Sequence, residues 1–332
     1  MAERLFIHHD GALGDVLLSL PAFSLLGGGG ERLHLAGRPD VAGFLQTAGV
    51  VAGAHDSGSS LFSSLYAGRP DNAAKAFFAG FDRAVVFTRG RDAVFVETLR
   101  SLLPRTAVVT TIPPEGERMH VSAFRMQQIA APGRYRHRGL PSCALEIPAP
   151  FKERARALLA RKGYDGRSRL VAMHPGSGGR RKCWPFESFI SLAAHIRAAG
   201  DFFFVFLSGP AEESAATAAL AVYAESNPGV LHVPGEELAI VAALLQSCSL
   251  YIGNDSGITH LAAAAGGKVL ALFGPTDPGL WSPPGDHVRV VASGHACAPC
   301  GLQPLHRVQE CGQECLRDIG VGRVMDAIGA FA

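Results

Sequence analysis

Four short stretches of the 332-residue chain combine small residues with groups able to hold or move charge. Asp10-Gly-Ala-Leu-Gly-Asp15 sets a carboxylate behind Gly11 and Gly14, which let the backbone turn tightly and approach a ligand. Asp15 falls at the expected start of a helix, where it is either a chemical group or a helix cap, a position that suits Asp. His174-Pro-Gly-Ser-Gly-Gly-Arg-Arg-Lys-Cys-Trp-Pro185 joins a small-residue turn around Ser177 to three consecutive cations, Arg180, Arg181 and Lys182. Freed amide N–H groups beside cations suit a diphosphate better than they suit a merely solvated basic loop. Ser208-Gly-Pro-Ala-Glu-Glu213 offers Glu212 and Glu213 as acceptors for ribose hydroxyls, or as acids favoured by a helix N-terminus.

The fourth stretch, Gly253-Asn-Asp-Ser-Gly-Ile-Thr-His260, is the most specific. Ser256 and Gly257 would present amides at a helix N-terminus, a natural seat for phosphate. His260 lies about one helical turn beyond Ser256, on the same face. Alone it would read as a packed helix histidine; beside Asp255, Ser256 and the Thr276 of Gly274-Pro-Thr-Asp-Pro278 it reads as part of a site. The Asp10–Asp15 turn lacks the G-x-G-x-x-G spacing, G-x-x-x-x-G-K-[ST] occurs nowhere, and Gly253–Ser256 is not G-x-S-x-G. Simple dinucleotide, P-loop and serine-hydrolase readings are therefore set aside.

These turns need elements to hold them. Strand-like apolar runs cover Leu5–His8, Arg32–Ala36, Ala84–Thr88, Ala107–Thr110, Leu170–His174, Phe202–Ser208, Leu250–Gly253 and Val269–Phe273. Helical spacing covers Asp15–Leu26, Glu97–Leu103, Phe151–Lys162, Phe186–Ala199, Ala211–Ala224 and Glu237–Ser247. Short apolar strands alternating with amphipathic helices indicate α/β architecture with parallel sheets covered on both faces. The alternation stalls over Pro132–Pro150 and restarts, which divides the chain into 1–150 and 151–332 near Pro148-Ala-Pro150. The expectation is two doubly wound domains facing a cleft, with chemistry at the carboxyl ends of the strands.

Composition fits that plan. A chain 48% hydrophobic and 18% charged is neither disordered nor fibrous. The net charge of +2 hides its distribution: residues 83–182 carry 20 Lys/Arg against 7 Asp/Glu, a balance of +13, between stretches of −3 and −8. Met1–His9 lacks a basic region followed by a long apolar one, and no window is apolar enough to span a bilayer. With seven Cys and no secretory signal, the thiols read as reduced and the protein as cytoplasmic. Cys297-x2-Cys300-x10-Cys311-x3-Cys315 is nevertheless spaced like a structural zinc site, although its second half is not C-x2-C.

HPGSGGRRKCWP at 174–185, SGPAEE at 208–213, GNDSGITHLAAAAGG at 253–267 and FGPTDP at 273–278 resemble the motifs of glycosyltransferase family 9, the ADP-heptose:lipopolysaccharide heptosyltransferases. Gly11–Asp15 followed by Pro21 is similar to the family's N-terminal loop, and Glu117–Ile129 fits more loosely. The loop departs from the family in reading His8-His9-Asp10, where a basic residue is more usual, and Ser57–Gly80 carries no recognisable motif. The resemblance implies a GT-B fold with the acceptor on the first domain and the nucleotide-sugar donor on the second. It also implies that the last helix, near Gly320–Phe331, returns to the first domain.

The resemblance further implies inverting transfer of a heptose from ADP-heptose to the lipopolysaccharide inner core. Asp15 matches the base and Lys182 the diphosphate cation, with Gly14, Ser177, Ser256, Gly257, His260 and Thr276 about the donor. Glu212 or Glu213 matches the ribose contact, and Asp255 orders the loop or touches the donor sugar. No D-x-D occurs, so no cofactor or bridging metal is expected for the reaction, and zinc at the cysteines would be structural. The implied acceptor, of lipid A/Kdo type, is anionic and lies on the cytoplasmic face of the inner membrane. Arg89, Arg91, Arg100, Arg118, Arg125, Arg134, Arg136 and Arg138 would face that acceptor or membrane, with peripheral contact only. Nucleic acid is not expected, since no motif for it accompanies the charge. A related transferase using another nucleotide-sugar, a silent nucleotide-sugar-binding module and a nucleotide-sugar epimerase are the competing readings.

Overall fold

Runs such as Phe202–Ser208 are apolar throughout, which suits strands covered on both faces, and all eight expected strands form in the computed structural model of the chain. It describes residues 2–130, 140, 141, 143–209, 214–301 and 311–331. The chain divides into two compact units, Met1–Glu146 and Ile147–Ala332.

The first unit begins β1 (Arg4–His8), α1 (Leu13–Leu17), α2 (Leu20–Gly27), β2 (Arg32–Gly37), α3 (Pro39–Thr47) and β3 (Gly53–Asp56). It continues α4 (Ser60–Tyr66), α5 (Asn72–Phe78), β4 (Arg83–Thr88), α6 (Ala93–Leu102), β5 (Thr106–Thr110) and α7 (Val121–Ile129). Its strands are all parallel, in the order β3-β2-β1-β4-β5. The core on one face gathers Phe6, Phe62, Phe78 and Phe95 from strand and helices, all buried. Each such ring contributes about 1.5–3 kcal/mol of burial.

The second unit begins α8 (Ala149–Arg161), β6 (Arg169–His174), α9 (Phe186–Ala198), β7 (Phe202–Ser208), α10 (Ser214–Ser226), β8 (Val230–Pro234) and α11 (Leu238–Ser247). There follow β9 (Leu250–Asn254), α12 (Gly257–Ala264), β10 (Val269–Phe273), α13 (Pro278–Trp281), β11 (Val288–Ala292), α14 (Glu314–Arg317) and α15 (Val321–Gly329). Its sheet, again parallel, has the order β11-β10-β9-β6-β7-β8. The fold is α/β, two doubly wound, Rossmann-like units. Among the described residues no helix is long and apolar enough to cross a membrane.

Strand order reverses between β1 and β4 in one sheet and between β6 and β9 in the other. Loops leaving two such neighbours diverge and open a crevice at the carboxyl edge, the place where doubly wound sheets bind ligands. All the charged turns but Ser208–Glu213 and Gly274–Pro278 leave one of these four strands.

Two local differences from expectation have physical causes. The single helix expected over Asp15–Leu26 is two helices that break at Leu18-Ser19, with Pro21 near the start of the second. Strands β3, β8 and β11 are short and lack a continuous apolar run. Within the second unit α15 packs on α9 and β11, and Lys268 Nζ donates to the Phe331 carbonyl at 2.8 Å.

Candidate active site

In the second unit the turn after β6 and the turn after β9 are locked together by Asn254. Its Nδ2 donates to the Pro175 carbonyl at 2.7 Å and to that of Gly176 at 3.3 Å, while its Oδ1 accepts from the Trp184 backbone N–H at 2.9 Å. The Trp184 indole is fully buried and donates from Nε1 to the Ile319 carbonyl at 2.8 Å. Both ends of the basic turn are thus fixed. The same turn walls a cavity of about 490 Å³ with Gly176, Ser177, Arg180, Phe186 and Thr217, within the range of small-molecule pockets.

Asp255 is the centre of the charged groups. Lys182 Nζ donates to its Oδ2 at 2.7 Å, Thr276 Oγ1 donates to the same oxygen at 2.7 Å, and His260 Nε2 stands 3.9 Å from Oδ1. Ser177 Oγ donates to the Asp255 carbonyl at 2.8 Å. Ser256 caps α12 by accepting from the Thr259 N–H, and its hydroxyl is 3.2 Å from His174 Nδ1. Gly257 opens that helix. A Cβ at Gly253 would collide with the buried Tyr251 hydroxyl, so the approach to this turn requires glycine. Ser177, Lys182, Asp255, Ser256, Gly257, His260 and Thr276 therefore lie together. Glu212 and Glu213 lie outside the described residues.

In the first unit Asp15 sits in the first turn of α1 but does not cap it: the N-cap is Ala12, with no side-chain bond. Gly14 precedes it within the same turn of helix. A Cβ at Gly11 would stand 2.7 Å from the His9 ring and 2.9 Å from Asp15 Cβ, which explains that glycine. The Asp15 carboxylate instead faces two cations, Arg125 Nη2 at 3.6 Å on Oδ1 and Arg89 Nη2 at 3.5 Å on Oδ2. His9 Nδ1 accepts from the Gly11 N–H at 3.2 Å, which leaves the proton on Nε2, 3.0 Å from Ser19 Oγ. Burial, with Arg125 and His8 adding to it, pushes the His9 pKa well below the usual histidine value, so the ring is neutral. Burial lowers the His8 pKa as well.

One expectation fails here. Arg125 does not face an acceptor or a membrane; it is fully buried behind Asp15. Arg89, Arg91, Arg100 and Arg118 are exposed as expected, and Arg134, Arg136 and Arg138 lie outside the described residues. Asn254, Trp184 and Arg125 are the residues whose roles sequence reasoning missed. Asn254 stood inside a quoted motif, whereas nothing in local spacing marks a buried arginine from α7.

The C-terminal cysteines are neighbours, since Cys297, Cys300 and Cys311 all raise the Cys315 thiol after burial has done so, to about 11. His295 Nδ1 is 3.1 Å from Cys297 Sγ. Among the described residues, however, no three His, Cys, Asp or Glu side chains are arranged to hold a metal ion.

Comparison with known proteins bears on this geometry. The profile of "Glycosyltransferase family 9 (heptosyltransferase)" matches residues 111–306, which takes in Arg125 and every second-unit turn but not Asp15. Lipooligosaccharide heptosyltransferase 2 of Campylobacter jejuni is 27% identical over 187 residues, 54% of this chain and 56% of that protein. The chain thus spans about half the length of that relative. Among solved structures, a glycosyl transferase family 9 protein from Veillonella parvula has a TM-score of 0.77 at 18% identity, covering 99% of this chain and 96% of the other. The E. coli ADP-heptose lps heptosyltransferase II has a TM-score of 0.73 at 18% identity, covering 99% and 98%. A third, the iron-containing dodecameric glycosyltransferase TibC of E. coli, has a TM-score of 0.58 at 15% identity, covering 99% and 79%. The structural likenesses establish the fold, and the profile match over more than half of the residues establishes the lineage: the chain belongs to glycosyltransferase family 9.

Proposed function

We propose that the chain is an inverting glycosyltransferase that moves a heptose from ADP-heptose to the inner core of lipopolysaccharide. The observation that carries the reading is the convergence of Lys182, Thr276 and Ser177 on Asp255 beside the N-terminus of α12. An ammonium, hydroxyls and helix amides at one strand-end crevice suit a diphosphate. Names among the relatives support the donor and acceptor class: one solved structure is an ADP-heptose lipopolysaccharide heptosyltransferase.

In this reading the second unit binds the donor. Lys182 keeps one N–H on Asp255 and offers its other two to the diphosphate, since an ammonium has three donors. Ser177, Ser256, Gly257 and His260 add phosphate contacts, and Glu212 or Glu213 accepts from the ribose. The first unit binds the acceptor, with Gly14 beside the site of transfer and Asp15 as base. The acceptor hydroxyl attacks the anomeric carbon, its proton passes to the Asp15 carboxylate, and the bond from that carbon to the diphosphate oxygen breaks. ADP leaves with the electron pair, stabilised by Lys182 and the helix amides without a metal or other cofactor. Exposed Arg89, Arg91, Arg100 and Arg118 attract the anionic lipid acceptor at the cytoplasmic face of the inner membrane.

The test is ADP release measured with ADP-heptose and a Kdo-bearing lipid A acceptor. ADP should appear only when both are present, with the new linkage inverted at the anomeric carbon. Release without acceptor, or tighter calorimetric binding of UDP- or GDP-sugars, would overturn the reading.

A further inference from the structure

Arg125 is 0% exposed, and among the described residues no other Lys or Arg is buried. Burying a guanidinium costs several kcal/mol unless its N–H groups and its charge are both answered. Its N–H groups meet mostly neutral partners: Nε donates to the Thr111 carbonyl at 3.0 Å, and Nη1 to the Asp15 carbonyl at 2.6 Å and to Ser19 Oγ at 2.9 Å. Nη2 has no hydrogen-bond partner and stands 3.6 Å from Asp15 Oδ1. Its charge is thus answered by one carboxylate, that of the proposed base.

We propose that Arg125 is the positioning residue of Asp15, holding one carboxylate oxygen from behind so that the other faces the reacting hydroxyl. The proposal rests on the reading of Asp15 as the base. Local structure does not hold Asp15 in place, because α1 is a single short helix of 5 residues without a capping side chain, and the chain breaks again at Ser19. Arg125, coming from α7, ties the Asp15 main chain, the Ser19 hydroxyl and Thr111 beyond β5 to one rigid, planar group. Burial lowers the arginine pKa only to about 10, so it stays protonated at neutral pH. The histidines of the adjoining loop carry no competing charge there, since burial disfavours their protonated forms. The cation reaches Asp15 from α7. Arg89, on the other oxygen, is 58% exposed and screened by water, free to move aside for an acceptor.

The test compares Arg125→Met, Arg125→Lys and Asp15→Ala for kcat, acceptor KM and calorimetric ADP affinity. Arg125→Met is expected to lower kcat about 100-fold while acceptor KM and ADP affinity stay within about threefold, the signature of a misplaced base. Arg125→Lys, which keeps the charge, is expected to recover about tenfold of that loss. Near wild-type kcat in Arg125→Met overturns the proposal, as does Arg125→Lys falling equally far, the mark of a purely structural arginine. If Arg125→Met shows no cooperative thermal transition, Ser19→Ala decides: a severalfold loss of kcat at unchanged ADP affinity supports the proposal, and unchanged kcat overturns it. Active Asp15→Ala would bring down the base assignment and the proposal together. Inactive Asp15→Ala with active Arg125→Met would bring down only the positioning role.

Discussion

Lys182 Nζ lies 2.7 Å from Asp255 Oδ2, so the cation offered to a diphosphate is already joined to an anion. The pair is largely sheltered, with the Asp255 side chain 8% and that of Lys182 25% exposed. Such a pair sets the direction of the ammonium more than it adds stability. It also means that Lys182 by itself adds little net positive charge to the turn.

Removing the two partners should therefore have different effects. Lys182→Ala is expected to weaken ADP binding about 10- to 100-fold, about 1.4–2.8 kcal/mol, measured by calorimetry. Asp255→Asn should change ADP affinity by no more than about threefold, yet lower stability by about 1–3 kcal/mol in denaturant titration, because it loosens both Lys182 and Thr276. Equal losses of ADP affinity in the two variants would show that Asp255 touches the donor itself.

Asp15→Ala addresses the chemical step. The carboxylate lies in the first unit and the proposed donor contacts in the second, so the two effects should separate. Transfer should fall by about a thousandfold, within the usual range for a general base, while the ADP affinity of the second unit stays within about twofold. A variant that retains near wild-type turnover would remove Asp15 from the mechanism.

Much of this was legible in the sequence for identifiable reasons. Eight strands announced themselves because a parallel strand covered on both faces must be apolar along its length, as in Phe202–Ser208. Gly53–Asp56 did not, because an edge strand reading Gly-Ala-His-Asp needs no such run. Ser177, Lys182 and Ser256 could be singled out because each stands in a turn whose composition has few structural uses, and His260 because it follows Ser256 by one turn of α12. Arg125 was misread because a charge run gives no sign of which member turns inward. That decision belongs to Thr111, Ser19 and Asp15, up to 110 residues away in the chain.

Trp184 should matter to stability before it matters to binding. Its indole N–H is bonded to the Ile319 carbonyl and its ring meets Phe189 edge-on at 5.0 Å. Trp184→Phe keeps the backbone bond to Asn254 but strands the Ile319 carbonyl and leaves a void. A loss of about 2–4 kcal/mol is expected from denaturant unfolding, with ADP affinity little changed. If ADP affinity falls more than about tenfold while stability holds, the indole contributes to the donor site directly.

The histidines of the first unit predict how stability depends on pH. Burial, helped by Arg4, His55 and Arg32, pushes the His34 pKa from 6.5 down to about 4, and burial lowers His8, His9 and His55 as well. The folded chain thus refuses protons that the unfolded chain accepts below about pH 6.5. Because the unfolded state then binds more protons, stability must fall as pH drops from about 6.5 toward about 4, and be fully present above 6.5. Denaturant titrations between about pH 6.5 and 5, where ordinary carboxylates remain mostly ionised, should show this decline. His34→Phe replaces a ring already packed edge-on against Phe81 at 5.1 Å, and should flatten the slope by up to about one proton. An unchanged slope in that variant, or wild-type stability rising as pH is lowered through this window, would refute the assignment of a neutral His34.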